Sequence, residues 1–280
     1  MDLKKLDRIL KLSLREDIER GDITTDSIVG PHEHVDFVIS LKEDAVICGI
    51  PVVKHIFQLL DANLKIDFCA GEGDFLSSGS LILKARGKGR AVLTGERTAL
   101  NFCQRLSGIA TQARKYVEAV KGTGVLILDT RKTLPRFRYV EKYAVRVGGA
   151  ANHRFGLFDE ILIKENHLKV EEKRGPEFIR RAVEKTRERY PGKKIEIEVS
   201  TLKEAGEALN AGADIILLDN MSVTQVKKAM VFLKGKVEVE VSGGIRLKNV
   251  RHFAKTGVNY ISIGALTHSV KAIDMTLMVL

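Results

Sequence analysis

Apolar residues recur at helical spacing over positions 3–14, then gather into short runs at 35–41 and 45–47 that read as strands. Pro51 opens a second helical pattern over 51–60, in the first turn where its missing N–H costs nothing. Positions 64–68 and 81–85 are further strand candidates, the latter bounded by turn formers at 77–80 and 87–89. A strongly periodic helix follows over 90–104. It is expected to break near Ser107-Gly108, where Ser107 can cap a second helix running to Val120.

Beyond Gly124 the rhythm changes to alternation. Strands are predicted at 125–129, 160–164, 194–198, 214–219, 237–241 and 260–264, with helices between them at 202–210, 223–233 and 247–256. Alternating strand and helix argues for parallel strands joined by right-handed crossovers. Six strands rather than eight predict an incomplete, six-stranded parallel β/α barrel, preceded by a mixed α+β sandwich domain. The expected division is 1–110 for the first domain and 111–268 for the barrel. A last helix, 269–280, is expected to pack back on the first domain. No Pro-, Gly- or Ser-rich linker separates the halves, so closely docked domains are expected.

Composition narrows the function classes. A chain of 280 residues with 44% hydrophobic and 29% charged residues is that of an ordinary globular protein. No apolar run approaches the roughly 20 residues of a membrane span, and the mixed N-terminus Met1–Leu6 lacks the apolar block of a signal peptide. Cytoplasmic residence and no membrane partner are the expectations. Cys48, Cys69 and Cys103 form no CxxC pair and sit among apolar neighbours, as small buried hydrophobes do. The net charge of +10 calls for an anionic partner. Nucleic acid is one class of candidate, but the chain has no Trp, 6% aromatics and no zinc-finger spacing, which turns the reading toward a phosphorylated metabolite.

Each barrel strand ends in polar or glycine residues: Asp129-Thr130-Arg131-Lys132, Lys164, Glu198, Asp219-Asn220, Ser242-Gly243-Gly244 and Gly264-Ala265. In a parallel barrel these ends share one face, where such folds carry their sites. Arg131, Lys132, His153, Arg154 and Lys164 would there line a pocket suited to a small, multiply anionic ligand. Ser242-Gly243-Gly244 and Ile263-Gly264-Ala265 follow the last two strands, where glycine-exposed amides commonly hold a phosphate, and His268 can close the same pocket. Glu198 and Asp219 would suit Mg²⁺ or ribose hydroxyls. Alternation puts Glu196 on the face of Glu198, and Glu240 also lies within a strand. Schiff-base chemistry at Lys164 stays open on these residues alone.

The run from Ile127 to His167, with Gly21-Asp22-Ile23-Thr24-Thr25, Glu96-Arg97-Thr98 and Gly264-Ala265-Leu266-Thr267-His268, resembles the quinolinate phosphoribosyltransferase family over nearly the whole chain. The resemblance implies transfer of phosphoribose from phosphoribosyl pyrophosphate to quinolinate with loss of CO₂, giving nicotinate mononucleotide for NAD synthesis, with Mg²⁺ as cofactor. It places Arg131, Arg154 and Lys164 on the dicarboxylate, Lys132 and Lys164 near the diphosphate, and Thr130 and His153 at the substrate. Lys132, Lys164, Glu198 and Asp219 are the implied catalytic group, and Glu198 and Asp219 the implied contacts to ribose and Mg²⁺. The resemblance also implies a homodimer or higher oligomer in which Arg97 is given to the neighbouring site. Two departures stand out. Pro135-Arg136-Phe137 replaces a usual Pro-Gly-Leu, and Ala150-Ala151 follows Gly148-Gly149 where a third glycine is common.

Overall fold

A computed structural model describes all 280 residues. It contains twelve strands: β1 His34–Leu41, β2 Ala45–Val46, β3 Lys65–Cys69, β4 Phe75–Leu76, β5 Leu81–Lys88, β6 Leu126–Leu128, β7 Ile161–Ile163, β8 Ile195–Val199, β9 Ile215–Asp219, β10 Glu238–Ser242, β11 Tyr260–Ser262 and β12 Met275–Val279. The chain divides into two compact units, one of Met1–Arg114, Leu134–Gly149 and Leu266–Leu280, the other of Lys115–Thr133 and Ala150–Ala265.

The first unit is built on an antiparallel sheet of order β12-β1-β5-β3. Its core holds Phe37 and Phe57, both fully buried, their rings edge to face at 5.2 Å. Each such burial contributes about 2–3 kcal/mol. The expected terminal helix over 269–280 is not formed. Met275–Val279 is instead an edge strand paired antiparallel with β1, Met275 opposite Leu41 and Val279 opposite Phe37. Its sequence, MTLMV, alternates a buried Met275 and Leu277 with a half-buried Thr276, which is strand periodicity.

The expected break at Ser107-Gly108 is also absent, since one helix runs from Gly89 to Ala119. Ser107 does not cap a helix here. Its hydroxyl donates to Cys48 O and accepts from Cys48 N, pinning the segment after β2. Gly108 is a point of close approach: a Cβ there would collide with the carbonyl oxygen of Lys271. Arg136 has φ 68, the left-handed region where glycine is the easy occupant, so the Pro-Arg-Phe departure carries a backbone strain of about 1–2 kcal/mol.

The second unit is a parallel sheet of order β6-β11-β10-β9-β8-β7, with β6 and β7 at its open edges. Ile195, Ile197 and Val199 on β8 and Val239 and Val241 on β10 form one buried face. The helices Leu202–Asn210 and Val223–Leu233 have the predicted bounds; each starts on a capping box, Thr201 with Glu204 and Ser222 with Gln225. The opposite face of the sheet carries Glu196 and Glu198 on β8, Leu217 and Asp219 on β9, and Glu240 and Ser242 on β10. Beside β6, the lone residue Ala151 makes a parallel bridge to Leu128, its N–H donating to Ile127 O at 2.8 Å and its carbonyl accepting from Asp129 N at 3.2 Å. No helix of the chain is long and apolar enough to cross a membrane.

Candidate active site

The strand ends of the second unit surround a cavity of about 550 Å³. Of the residues singled out in the sequence, Thr130, Arg131, Lys132, His153, Arg154, Lys164, Glu198, Asp219, Ser242, Gly243 and Gly244 all line it. Two short apolar strands, β6 and β7, deliver the cations at their C-terminal ends, because side-chain alternation stops there and the chain turns outward.

The segment carrying His153 and Arg154 is fixed from below. Asp129, fully buried, accepts from Asn152 Nδ2 at 2.7 Å and from His153 N at 2.9 Å. Together with the Ala151 bridge, this ties the segment to the end of β6. His153 Nδ1 accepts the Arg154 amide at 2.7 Å, leaving the ring proton at Nε2, which faces Glu196 Oε2 at 3.1 Å and Glu240 Oε1 at 3.7 Å. Burial pushes the imidazole pKa down, and Glu196 with Glu240 and Glu160 pull it back above the ordinary value. A second proton, on Nδ1, would displace the Arg154 N–H.

Arg154 is buried, and its guanidinium donates to Glu160 O at 3.1 Å. Burial, and then the charge of Arg131, press its pKa down. Two guanidinium groups held close enough to repel each other, one of them removed from water, form a place that an anion stabilises. Their planar donors suit carboxylates.

Lys164 Nζ meets Glu198 Oε2 at 3.1 Å while remaining half exposed. Its amide donates to His167 Nδ1 at 2.9 Å, which starts the helix Glu165–Glu172 and fixes the direction of the lysine. Asp219 accepts from Asn220 Nδ2 at 2.7 Å, and Asn220 itself takes φ 53, a conformation that asparagine tolerates better than most. Glu198 and Asp219 thus present hard oxygen donors on one cavity wall, a set that fits Mg²⁺ bound together with substrate oxygens.

Gly243 has φ 91, and a Cβ on it would overlap the Asn220 side chain and lie 2.9 Å from the Asn220 amide nitrogen. Gly244 has φ 63. The turn therefore depends on glycine twice. Ile263 does not serve a phosphate through its amide, because that N–H donates to Leu128 O at 2.9 Å within the sheet. Gly264 and Ala265 follow it in the same unit. Arg97 and His268 belong to the first unit. Arg97 is an exposed residue of the helix Gly89–Ala119, 3.8 Å from Glu96, and His268 is exposed beside Ser269 Oγ.

Four lining residues were not expected from the sequence as part of the site: Glu240, Ser262, Leu162 and Leu217. Strand alternation could have found all four, since each shares a face with a chosen residue one layer higher, as Leu162 does with Lys164 and Leu217 with Asp219.

The model of the quinolinate phosphoribosyl transferase C-terminal domain matches residues 109–278, and that of the N-terminal domain matches residues 22–107. The chain is 40% identical over 278 residues to a probable carboxylating nicotinate-nucleotide pyrophosphorylase of Bacillus subtilis, covering 99% of this chain and 94% of that protein. It is 42% identical to the corresponding protein of Methanocaldococcus jannaschii, covering 96% and 95%. The nicotinate-nucleotide pyrophosphorylase structure from Francisella tularensis superposes with a TM-score of 0.92 at 39% identity, over 100% of this chain and 98% of that one. The chain belongs to the quinolinate phosphoribosyltransferase family.

Proposed function

We infer that the protein joins quinolinate to the ribose of phosphoribosyl pyrophosphate and releases CO₂, forming nicotinate mononucleotide and pyrophosphate. The observation that carries this reading is the buried Arg154 beside Arg131, in a cavity that Lys164, Glu198, Asp219 and the Ser242-Gly243-Gly244 turn also line. The guanidinium pair suits a dicarboxylate, and the carboxylates with the glycine turn suit a phosphorylated sugar.

In the first step the ring nitrogen forms a bond to the anomeric carbon as the bond to the diphosphate breaks. Arg131 and Arg154 hold the two carboxylates and so aim the nitrogen. Glu198 and Asp219 face the sugar, whose ring becomes cation-like, and their negative charge favours that state. Lys132 and Lys164 offset the charge on the departing diphosphate. Mg²⁺, held by Glu198 and Asp219 with substrate oxygens, would supply further neutralisation of that leaving group. The backbone of Ser242-Gly243-Gly244 receives a phosphate. In the second step the carboxylate next to the nitrogen leaves as CO₂, its electron pair taken up beside the now cationic nitrogen. Catalysis on this account is positioning and charge neutralisation, with no covalent enzyme intermediate. A Schiff base at Lys164 gains no support, since Glu198 engages that amine.

Formation of nicotinate mononucleotide from the two substrates with Mg²⁺ tests the reading. Replacing one partner of a buried charged pair costs about 2–5 kcal/mol. Arg154→Ala is therefore expected to lower kcat/KM for quinolinate by at least about 30-fold, and Lys164→Ala to lower kcat. Full activity in both variants would show that the site lies elsewhere. The homodimer, with Arg97 lent to the neighbouring subunit's cavity, is part of the same proposal.

A further inference from the structure

The sheet face that makes the cavity floor is unusual for a barrel, whose interior is normally filled with branched apolar side chains. Here the middle layer is Glu196, Glu240, His153 and Ser262, all nearly or fully buried. Below it is a second cavity of about 240 Å³, bordered by Leu126, Ile215, Tyr260 and the exposed Glu160 and Lys194. His153 and Glu240 line both cavities, so they form the partition between them.

Charge at this partition must be balanced. Glu240 faces His153 from the segment before β7, Glu196 from β8, and Tyr260 and Ser262 from β11, while β9 places Leu217 in register with it. The ligand atoms of His153, Glu196 and Glu240 all lie within 4.8 Å of one another. Glu196 gives one oxygen to His153 Nε2, and its other oxygen, Oε1, is buried without a hydrogen-bond partner. Two carboxylates this close and this dry do not both ionise; one keeps its proton. Burial, and then the charge of Glu196, push the Glu240 carboxyl up to about 8. At neutral pH Glu240 is thus a neutral acid at the base of the substrate cavity.

The reaction proposed above needs such an acid. When CO₂ leaves the ring, the bond between the ring carbon and the carboxyl carbon breaks and its electron pair stays on the ring carbon beside the cationic nitrogen. That pair recaptures CO₂ unless a proton reaches it first. We propose that Glu240 is the acid that protonates this carbon, with the lower cavity as its supply of protons. The Glu240 O–H bond breaks, a C–H bond forms on the ring, and Glu240 is left as a carboxylate. Water in the lower cavity restores its proton before the next turnover. The proposal rests on the phosphoribosyl-transfer reading, and a neutral Glu240 also explains how a dianion can bind over a floor of carboxylates.

Single-turnover quench experiments with the Mg²⁺-loaded enzyme separate the two steps, using quinolinate labelled in the carboxyl next to nitrogen and counting pyrophosphate and CO₂ independently. In Glu240→Gln, which keeps the shape and removes the acid, pyrophosphate is expected to appear at close to the wild-type rate. CO₂ release is expected to fall by about a hundredfold, the usual worth of a positioned acid, with the ribosylated dicarboxylate accumulating. In the wild type, CO₂ release should decline as pH rises through about 8 while pyrophosphate release does not follow it. This second measurement needs no variant and stands if Glu240→Gln fails to fold. Three outcomes overturn the proposal: CO₂ and pyrophosphate still released together in the variant, a wild-type CO₂ rate that stays flat through that pH range, or a tightly held metal ion that needs Glu240. A wild type that releases no pyrophosphate at all would instead strike the phosphoribosyl transfer itself.

Discussion

At the residue scale the site is governed by positions where one atom too many is not tolerated. Gly243 is the sharpest. Its positive φ and the Asn220 side chain pressed against it leave no room for a methyl group, and Asn220 in turn holds Asp219. Gly243→Ala is expected to shift both the phosphate turn and the carboxylate beside it. KM for phosphoribosyl pyrophosphate should rise by at least about tenfold, while thermal stability drops by about 1–3 kcal/mol. Steady-state kinetics with each substrate varied in turn would check this; an unchanged KM would mean that the turn does not touch the phosphate. The sequence alone pointed to this glycine through its place after the fifth barrel strand. It did not show Asn220 as its neighbour, because that contact depends on a left-handed residue at the end of the adjacent strand.

At the scale of elements, the barrel strands and the helices over 202–210, 223–233 and 247–256 were legible, because each strand is a short apolar run closed by polar residues and each of those three helices starts on a capping box. Two elements of the first unit were misread for physical reasons. Ser107-Gly108 looks like a helix break, yet the serine hydroxyl is spent on Cys48 and the glycine admits the Lys271 carbonyl, so the pair serves packing inside an unbroken helix. The terminal segment is apolar enough for a helix, but Met275 and Leu277 face the core with strand period, and β1 has a free edge to receive them. Gly108→Ala should therefore act through the far end of the chain. Overpacking against backbone costs about 1–3 kcal/mol, so a loss of several degrees in Tm is expected. Amide protection should fall first in β12, as hydrogen exchange would reveal. Equal protection in β12 before and after the substitution would contradict this contact.

At the scale of the whole molecule, a complete site on the proposed reading draws Arg97 from a second copy of the chain. Arg97→Ala and Arg154→Ala should each be nearly inactive alone. Refolded together in equal amounts, they should recover about a quarter of wild-type activity, since half of the dimers are mixed and each mixed dimer holds one intact site of two. No recovery would mean that Arg97 works within its own chain or not at all. A barrel with only six strands has two bare margins, and the one beside β6 is met by a single residue, Ala151, whose N–H and carbonyl both pair with β6 and its end like the stub of an absent strand. The next three residues after that stub are Asn152, His153 and Arg154. On the proposed reading incompleteness is put to use: the gap where a seventh strand would run is the doorway through which the chain would reach in to grip its ligand, and any change that closed the gap would take the grip away with it.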